Sequence, residues 1–189
     1  PVQVVIVPIA SHKGGVSDKA RELFNRLKDE FRVELDDREN YSPGWKFNEW
    51  EMKGVPIRIE IGPRDIEKGQ AILFRRDELE KEAVSLDDIE EAVEKLLSDI
   101  NYNLLYKATI MRDKKTYTIK TFDEMEEIMD VQPGFVKAMW CGETECEENI
   151  KDKTGVTIRC IPFEQQNLGD KCAFCDRKAK HMVYLAKAY

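Results

Sequence analysis

The sequence VQVVIVPI occupies residues 2–9, and all but one of its side chains are apolar. Such a run is typical of a strand that is covered on both faces, as in a parallel sheet with helices on each side. Apolar side chains then recur at helical spacing from Ala20 to Phe31, and residues 31–35 again favour a strand. A strand–helix–strand unit almost always forms a right-handed crossover between parallel strands, so the sequence predicts an α/β domain.

A second helix and strand are predicted by the sequence YSPGWKFNEWEMKGVPIRIEI, residues 41–61. Ser42 and Pro43 fit the start of the helix, and Gly54 fits its end. The isoleucines that alternate with charged residues at the end of this segment indicate a strand with one buried face. Only a short link separates it from a strand predicted over residues 69–76, which favours an antiparallel pair and hence a mixed sheet.

A long amphipathic helix is predicted after residues 85–88, which resemble a capping box. Its apolar positions continue to about Leu104, and the character of the sequence changes after about Asp113. We therefore expect two domains, at residues 1–110 and 111–189.

The second of these domains contains all five cysteines. Cys141 and Cys146 form a C-x4-C pair, and Cys172 and Cys175 form a C-x2-C pair. Four thiolates from two such pairs match the tetrahedral coordination of a closed structural zinc site. Two alternatives remain at this point: four reduced cysteines in a small core, or a redox-active C-x-x-C pair.

The fifth cysteine, Cys160, lies inside a strand predicted over residues 156–161, and its position there favours the core. Two further short strands are predicted at residues 135–140 and 182–186. Residues 121–124 form a capping box before a short helix, which makes the second domain a small α+β unit.

An aromatic segment occupies residues 41–53. Phe47, Trp50 and Glu51 lie at positions i, i+3 and i+4, so a helix places them on one face. An aromatic ring beside a carboxylate can stack on an unpaired base and read its edge. The alternative is that Trp45, Phe47 and Trp50 simply pack the helix against the sheet.

The composition limits the classes of function. The chain has 37 acidic and 30 basic residues, a formal net charge of −7. Non-specific nucleic-acid binding depends on dense Lys and Arg, so it is disfavoured, whereas a local RNA site remains compatible with this charge.

No apolar run approaches the roughly 20 residues of a membrane-spanning helix. No serine or cysteine has a histidine partner by pattern, so no catalytic residue is expected. The sequence begins at Pro1 and not at Met, so the chain is either processed or a fragment, and we expect a fragment. The other features, with no secretory leader and with cysteines at paired spacing, favour an intracellular protein.

Several of these runs together resemble the C-terminal region of prolyl-tRNA synthetases of the archaeal and eukaryotic type, which some bacteria also carry. The four paired cysteines fit this resemblance as well. The matching runs are VQVVIVPI at 2–9, LDDRENYSPGWKFNEWEMKGVPIRIEIGPRDIEKGQ at 35–70, IRCIPF at 158–163 and the closing AKAY at 186–189.

The resemblance implies a mixed-sheet class II synthetase anticodon-binding domain followed by a small α+β zinc-binding domain. It implies that Phe47, Glu51 and Arg58 contact the anticodon. A basic residue after the Gly-Pro turn also fits, here Arg64, where the family often has Lys. The implied ligands of a structural zinc ion are Cys141, Cys146, Cys172 and Cys175.

The resemblance also implies a parent enzyme, a cytoplasmic homodimer that joins proline to its tRNA with ATP and magnesium. The ATP and proline sites would lie in an upstream catalytic domain, so this chain alone is expected to be inactive. Its partners would be the anticodon of the proline tRNA and the enzyme's own catalytic domain, towards which the closing tail packs in the family. Two rival hypotheses are a non-enzymatic tRNA-binding accessory protein on the same fold and a zinc-dependent protein-interaction module.

Overall fold

The computed structural model describes residues 1–188, which form two compact units divided between Tyr106 and Lys107. The sequence placed its boundary at 110/111, a few residues further along the same helix, and that domain boundary stays a prediction. Tyr189, the last residue of the closing AKAY run, lies outside the described residues.

The first unit is built on a mixed five-stranded sheet with the strand order β2-β1-β3-β4-β5. β1 is parallel to both β2 and β3, whereas β4 is antiparallel to β3 and to β5. The predicted mixed sheet is therefore confirmed. The elements are β1 (Val4–Pro8), α1 (Val16–Leu27), β2 (Val33–Leu35), α2 (Pro43–Met52), β3 (Ile57–Ile61), α3 (Pro63–Glu67), β4 (Gln70–Arg75), β5 (Glu80–Ser85) and α4 (Ile89–Lys114), which continues past the division.

Helices cover both faces of β1, as its apolar run predicts. Val4 and Ile6 pack into a core with α1 and α4, and the isoleucines of β3 lie in the same core. Val5 and Val7 point to the other face, where α2 packs. Burying such a side chain completely stabilises the fold by roughly 1.5–3 kcal/mol relative to exposure, so β1 anchors the unit.

α1 begins after Gly15, which has a left-handed φ of 74°, and the hydroxyl of Ser17 in its first turn donates to the carbonyl of Ser11 at 3.0 Å. One prediction about an element boundary in this unit is wrong. Ser85 ends β5 and does not cap a helix. β5 is largely exposed and paired only with β4, so its sequence EKEAVS carries little of the apolar alternation that identifies a strand.

The second unit contains a four-stranded sheet with the order β6-β7-β9-β8. α5 starts with the predicted capping box, in which the N–H of Glu124 donates to the Thr121 hydroxyl and the Glu124 carboxylate accepts from the N–H of Thr121. Besides the end of α4, the elements are β6 (Thr116–Thr118), α5 (Phe122–Val131), β7 (Phe135–Trp140), α6 (Thr144–Thr154), β8 (Val156–Cys160) and β9 (His181–Lys187).

Cys160 is exposed, so the prediction that it lies in the core is wrong. Ile158 pairs with Leu185, but the next residue of β9, Tyr184, pairs with Cys160, because a β-bulge at Arg159 shifts the register. An unbroken alternation would send Cys160 to the same face as Ile158. The extra residue moves Cys160 to the opposite, open face of the sheet.

None of the helices within residues 1–188 combines the length and the apolar character needed to cross a membrane.

Candidate nucleic-acid interface and metal centre

α2 positions the predicted aromatic residues. Ser42 caps the helix by accepting a hydrogen bond from the N–H of Trp45 at 3.4 Å, as predicted. Phe47 and Trp50 are partly buried against the valines of β1, whereas Trp45 is 45% exposed and stacks on Tyr41 with ring centroids 3.9 Å apart. Packing against the sheet therefore accounts for two of the three aromatics on the helix.

Arg58 of β3 lies at the centre of this face and is only 4% exposed. Its guanidinium carbon stands 3.9 Å from the ring centroid of Phe47 and 4.0 Å from that of Phe74, so the cation lies between two rings. Its Nη1 donates to Glu51 Oε1 at 2.6 Å, and its Nε and Nη2 donate to Glu60 Oε1 at 3.0 and 2.9 Å. A planar guanidinium suits this arrangement because it can stack and donate in its own plane at once.

Charges of alternating sign continue from Arg58 in both directions. The Glu51 side chain is 33% exposed at one end, and its Oε2 has no hydrogen-bond partner among the described residues. At the other end the buried carboxylate of Glu60 accepts from Lys81 Nζ at 2.7 Å, and the ammonium of Lys81 is half exposed. The register explains the arrangement, because Arg58, Phe74 and Lys81 are directly paired across three adjacent strands.

A second polar network fixes α2 beside the end of β2. The buried carboxylate of Asp36 accepts from Arg38 at 2.8 and 2.7 Å and from the indole N–H of Trp50 at 2.8 Å. Lys46 Nζ donates to the Asp36 carbonyl at 2.9 Å. Burial alone raises the pKa of Asp36, but the hydrogen bonds from Arg38 and Trp50 and the nearby Lys46 outweigh it and lower the pKa to about 2. Arg38 also pairs with Glu49, so three residues of α2, Lys46, Glu49 and Trp50, are tied to one arginine–aspartate pair.

Arg64 lies apart from these networks. It is exposed on the short helix α3 and makes no hydrogen bond or ion pair within residues 1–188. Its guanidinium is therefore available to an external anion.

The four paired cysteines of the second unit form one cluster. Cys141 directly follows β7, Cys146 lies in α6, and Cys172 and Cys175 lie in the loop before β9. All four sulfur atoms lie within 4.8 Å of one another. Sγ of Cys146 is 3.8 Å from that of Cys172, and Sγ of Cys175 is 3.6 Å from that of Cys141. A tetrahedron with zinc–sulfur distances of about 2.3 Å has sulfur–sulfur edges of about 3.8 Å, so the cluster fits zinc.

The loops around the cluster are shaped for it. Gly142 has a left-handed φ of 84°, which glycine adopts without strain. A Cβ at this position would also lie only 3.2 Å from the Lys180 side chain, so the close packing favours glycine as well. Lys180 and Arg177 pair with Glu143 and Glu145, respectively, at 2.7 and 3.2 Å.

Burial raises the pKa of the Cys146 and Cys172 thiols. Burial also acts to raise that of Cys175, but the N–H of Arg177 and hydrogen bonds from the other thiols outweigh it and lower the pKa. Deprotonating four neighbouring buried thiols costs free energy, because the resulting thiolates repel one another and lose hydration. A divalent cation bound between them offsets this cost.

Two known protein families match this chain, one over the region of the Arg58 cluster and one over the region of the cysteine cluster. Residues 3–96 match the family described as "Anticodon binding domain". Residues 122–189 match the family described as "Prolyl-tRNA synthetase, C-terminal", and the two matches together include most of the chain.

The chain matches the C-terminal region of prolyl-tRNA synthetases.

Relatives within this family resemble the chain along its whole length. It is 80% identical over 189 residues to a proline–tRNA ligase of Alkaliphilus oremlandii, covering 100% of this chain and 39% of the relative. Identity is 57% to the proline–tRNA ligase of Ruminiclostridium cellulolyticum and 56% to that of Clostridium novyi, again over 100% of this chain and 39% of each relative. The chain thus spans about two fifths of the length of these relatives. All three are bacterial, and the assignment to the archaeal and eukaryotic type stays a prediction.

The predicted site residues form two groups in the structure, one between α2 and β3 and one at the four paired cysteines. Phe47, Glu51 and Arg58 lie in one cluster, which Arg64 does not join through any hydrogen bond or ion pair between described residues. The position of Arg58 differs from the expected one, because its donors face carboxylates of its own chain and not the solvent.

Sequence reasoning missed three members of the cluster, Phe74, Glu60 and Lys81. The pairing of β3, β4 and β5 brings them together, and once the register is known the alternation along β3 and β4 identifies the first two. Lys81 had no such signal, because β5 itself was not predicted.

Proposed function

We propose that this chain is the tRNA-recognition part of a proline–tRNA ligase, and that Glu51 reads a guanine of the proline anticodon. The observation that supports it most directly is the Glu51 carboxylate, which is anchored through one oxygen by Arg58 and open at the other. The match of residues 3–96 to an anticodon-binding family supports RNA as the ligand. Joining of proline with ATP and magnesium would take place in a catalytic domain of the whole enzyme, a cytoplasmic homodimer.

The chemistry of guanine fits this carboxylate. The Watson–Crick edge of guanine carries two adjacent donors, N1–H and N2–H2, and an ionised carboxylate offers acceptors only. Adenine instead presents an unprotonated N1, which would face the carboxylate without a hydrogen between them. The site therefore favours guanine.

Arg58 acts in this proposal as a positioning residue. Its guanidinium is fixed between the rings of Phe47 and Phe74 and by Glu60, so the Glu51 carboxylate that it binds is oriented before RNA arrives. An oriented carboxylate loses less side-chain entropy on binding, which strengthens the contact. Phe47 supplies the apolar wall beside the base, and its ring is partly buried.

Arg64 is proposed to contact a phosphate of the anticodon loop. Its exposed guanidinium has the geometry for a phosphate, and a phosphate contact positions RNA without reading its sequence.

We also propose that Cys141, Cys146, Cys172 and Cys175 bind one zinc ion. Four thiolates fill the tetrahedron and leave no position for water or substrate, so the ion would stabilise the second unit without taking part in a reaction.

The experiment measures the affinity of the chain for anticodon stem-loop RNAs altered at one anticodon position at a time. Glu51→Gln is expected to relax the preference for guanine over adenine at one position by about 1–3 kcal/mol, because a bidentate base contact is lost. Arg64→Ala is expected to weaken binding of all the RNAs by a similar factor.

Glu67→Gln removes the same charge from an exposed residue of α3 and serves as the matched control, which should leave the base preference unchanged. A Glu51→Gln chain that keeps the full guanine preference at every position would refute the assignment.

A further inference from the structure

A groove of about 590 Å³ lies on the open face of the sheet in the second unit. Phe135 and Lys137 reach this face because they alternate with the buried Val136 and Ala138 of β7. Ligand sites commonly have volumes of about 300–1,000 Å³, so the groove is large enough for a small molecule. Its lining consists of Arg112, Asp113, Thr116, Phe135, Lys137, Arg159, Cys160 and Tyr184.

The groove is positively charged although the chain has a net charge of −7. Of its three cations, Arg112 pairs with Asp113 at 2.7 Å. Lys137 and Arg159 have no carboxylate partner in the part of the chain from residue 1 to residue 188, and Lys137 is half-buried. A half-buried cation without a counter-charge, such as Lys137, is costly, and an anionic ligand would remove that cost. Arg159 is exposed and donates only to the carbonyl of Ala186 among the described residues, at 3.4 Å, so its guanidinium can also reach an anion.

The β-bulge at Arg159 turns one additional side chain, that of Cys160, towards this groove. Without it, Arg159 would pair with Tyr184, and Cys160 would point into the core. With it, Cys160 pairs with Tyr184 and both Arg159 and Cys160 line the groove. Bulges are over-represented beside functional sites, where they redirect a side chain. The bulge and the positive charge are independent observations, and both indicate a functional site in this groove.

Aromatic rings form the apolar part of the lining. Phe135 is 43% exposed, and the Lys137 ammonium stands 5.4 Å from the ring centroid of Tyr184. A flat exposed ring next to unpaired cations suits a ligand that combines a planar aromatic group with a phosphate.

We propose that this groove binds a nucleotide, with its phosphate on Lys137 and Arg159 and its base against Phe135. The nucleotide could come from two sources, a free nucleoside phosphate or one nucleotide of a single RNA strand, since both carry the same groups. The site belongs to the second unit alone, and it does not depend on anticodon recognition by the first.

Cys160 provides the measurement because its exposed thiol lies in the groove. The rate at which a thiol reagent modifies Cys160 in the zinc-loaded chain is followed while AMP is added, and Cys160→Ser measures the background from other thiols. AMP is expected to slow the modification in a saturable way, whereas adenosine, which lacks the phosphate, is expected to have little effect. A short single-stranded RNA forms the second arm: protection by RNA at lower concentrations than AMP identifies a strand as the source, and protection by AMP alone identifies a free nucleotide.

Lys137→Ala and Arg159→Ala are each expected to weaken the apparent affinity for AMP by roughly tenfold, since each removes a charge-assisted hydrogen bond. The apparent affinity is the AMP concentration that gives half of the maximal protection. A variant that changes the reactivity of Cys160 without AMP therefore does not change the measured affinity. Lys151→Ala is the matched control, because this exposed lysine lies in α6, which packs against the opposite face of the sheet. Zinc content and the circular dichroism spectrum establish that each variant is folded.

The proposal is overturned if neither AMP nor RNA protects Cys160. It is also overturned if Lys151→Ala weakens protection as much as Lys137→Ala does, because the effect would then be one of overall charge.

Discussion

The two units fix their candidate site residues in different ways. In the first unit the charged cluster around Arg58 lies on one face of a sheet whose main apolar core is on the other face. In the second unit Cys141, Cys146 and Cys172 are themselves part of the core, among the apolar side chains of the sheet and α6. The first site is thus an addition to a core that can form without it, whereas the second site is a component of its core. The two units should therefore respond differently when the site is damaged.

The largest expected effect is the loss of the metal ligands in the second unit. Zinc binding to four-ligand sites contributes about 10–16 kcal/mol in small zinc domains, which matches or exceeds the stability of a typical domain. Cys172→Ser, or removal of zinc by a chelator, should therefore unfold the second unit and leave the first one folded. Amide hydrogen exchange measures the two units separately, and metal analysis should find about one zinc per unmodified chain.

Cys160→Ser is the control for this experiment. Its thiol is exposed and outside the cluster, so zinc content and amide protection should both be retained. If the amides of β7 and β9 were equally protected in the metal-free and the zinc-bound chain, the core of the second unit would not depend on the metal-bound cysteines.

The second effect concerns Arg58 and should be confined to the first unit. Arg58→Met keeps an apolar stem between the two rings but leaves the buried Glu60 with Lys81 as its one remaining partner among the described residues. Removing one member of a buried ion pair costs roughly 3–5 kcal/mol, so the unfolding free energy of the first unit should fall by about that amount. Urea denaturation followed by amide exchange gives this value for each unit.

Arg64→Met makes the same chemical change at an exposed position and should alter stability by less than about 0.5 kcal/mol. Equal losses from the two variants would mean that Arg58 contributes no more than an ordinary surface arginine.

The smallest effect is the pH dependence that Asp36 gives to the first unit. Its pKa in the folded chain is about 2, below the ordinary value of 3.8, so the folded state favours the charged form. The corresponding stability is fully present above about pH 5 and is lost as the pH falls towards 2, by about 2 kcal/mol in total. Asp36→Asn should remove this part of the acid sensitivity, as measured by denaturation midpoints between pH 7 and pH 2.

Asp37→Asn serves as the comparison, because the Asp37 side chain is 55% exposed. Its acid profile should follow that of the unmodified chain. If the stability of Asp36→Asn fell with pH as steeply as that of the unmodified chain, the buried Asp36 carboxylate would not be a source of the acid sensitivity.

The sequence predicted what depends on local pattern. The apolar run of β1, the Ser42 cap of α2 and the Thr121 capping box of α5 are set by neighbouring residues, and each is present in the structure. The spacing of the four cysteines likewise predicted a cluster that the fold brings together.

The parts that were missed depend on strand register. Phe74 and Lys81 join Arg58 only because β4 and β5 align there, and Cys160 leaves the core because one extra residue in β8 shifts the pairing. Pairing across strands is decided by tertiary packing, which no local pattern of apolar residues records.

The position of β1 has a consequence for how the first unit is made. Its five residues are buried, and its two partners begin at Val33 and Ile57. Both pairings span long stretches of chain, and contacts of this kind form slowly. During synthesis one edge of the sequence VVIVP therefore stays unpaired until β3 has left the ribosome, which exposes this apolar strand to aggregation while the chain is still growing.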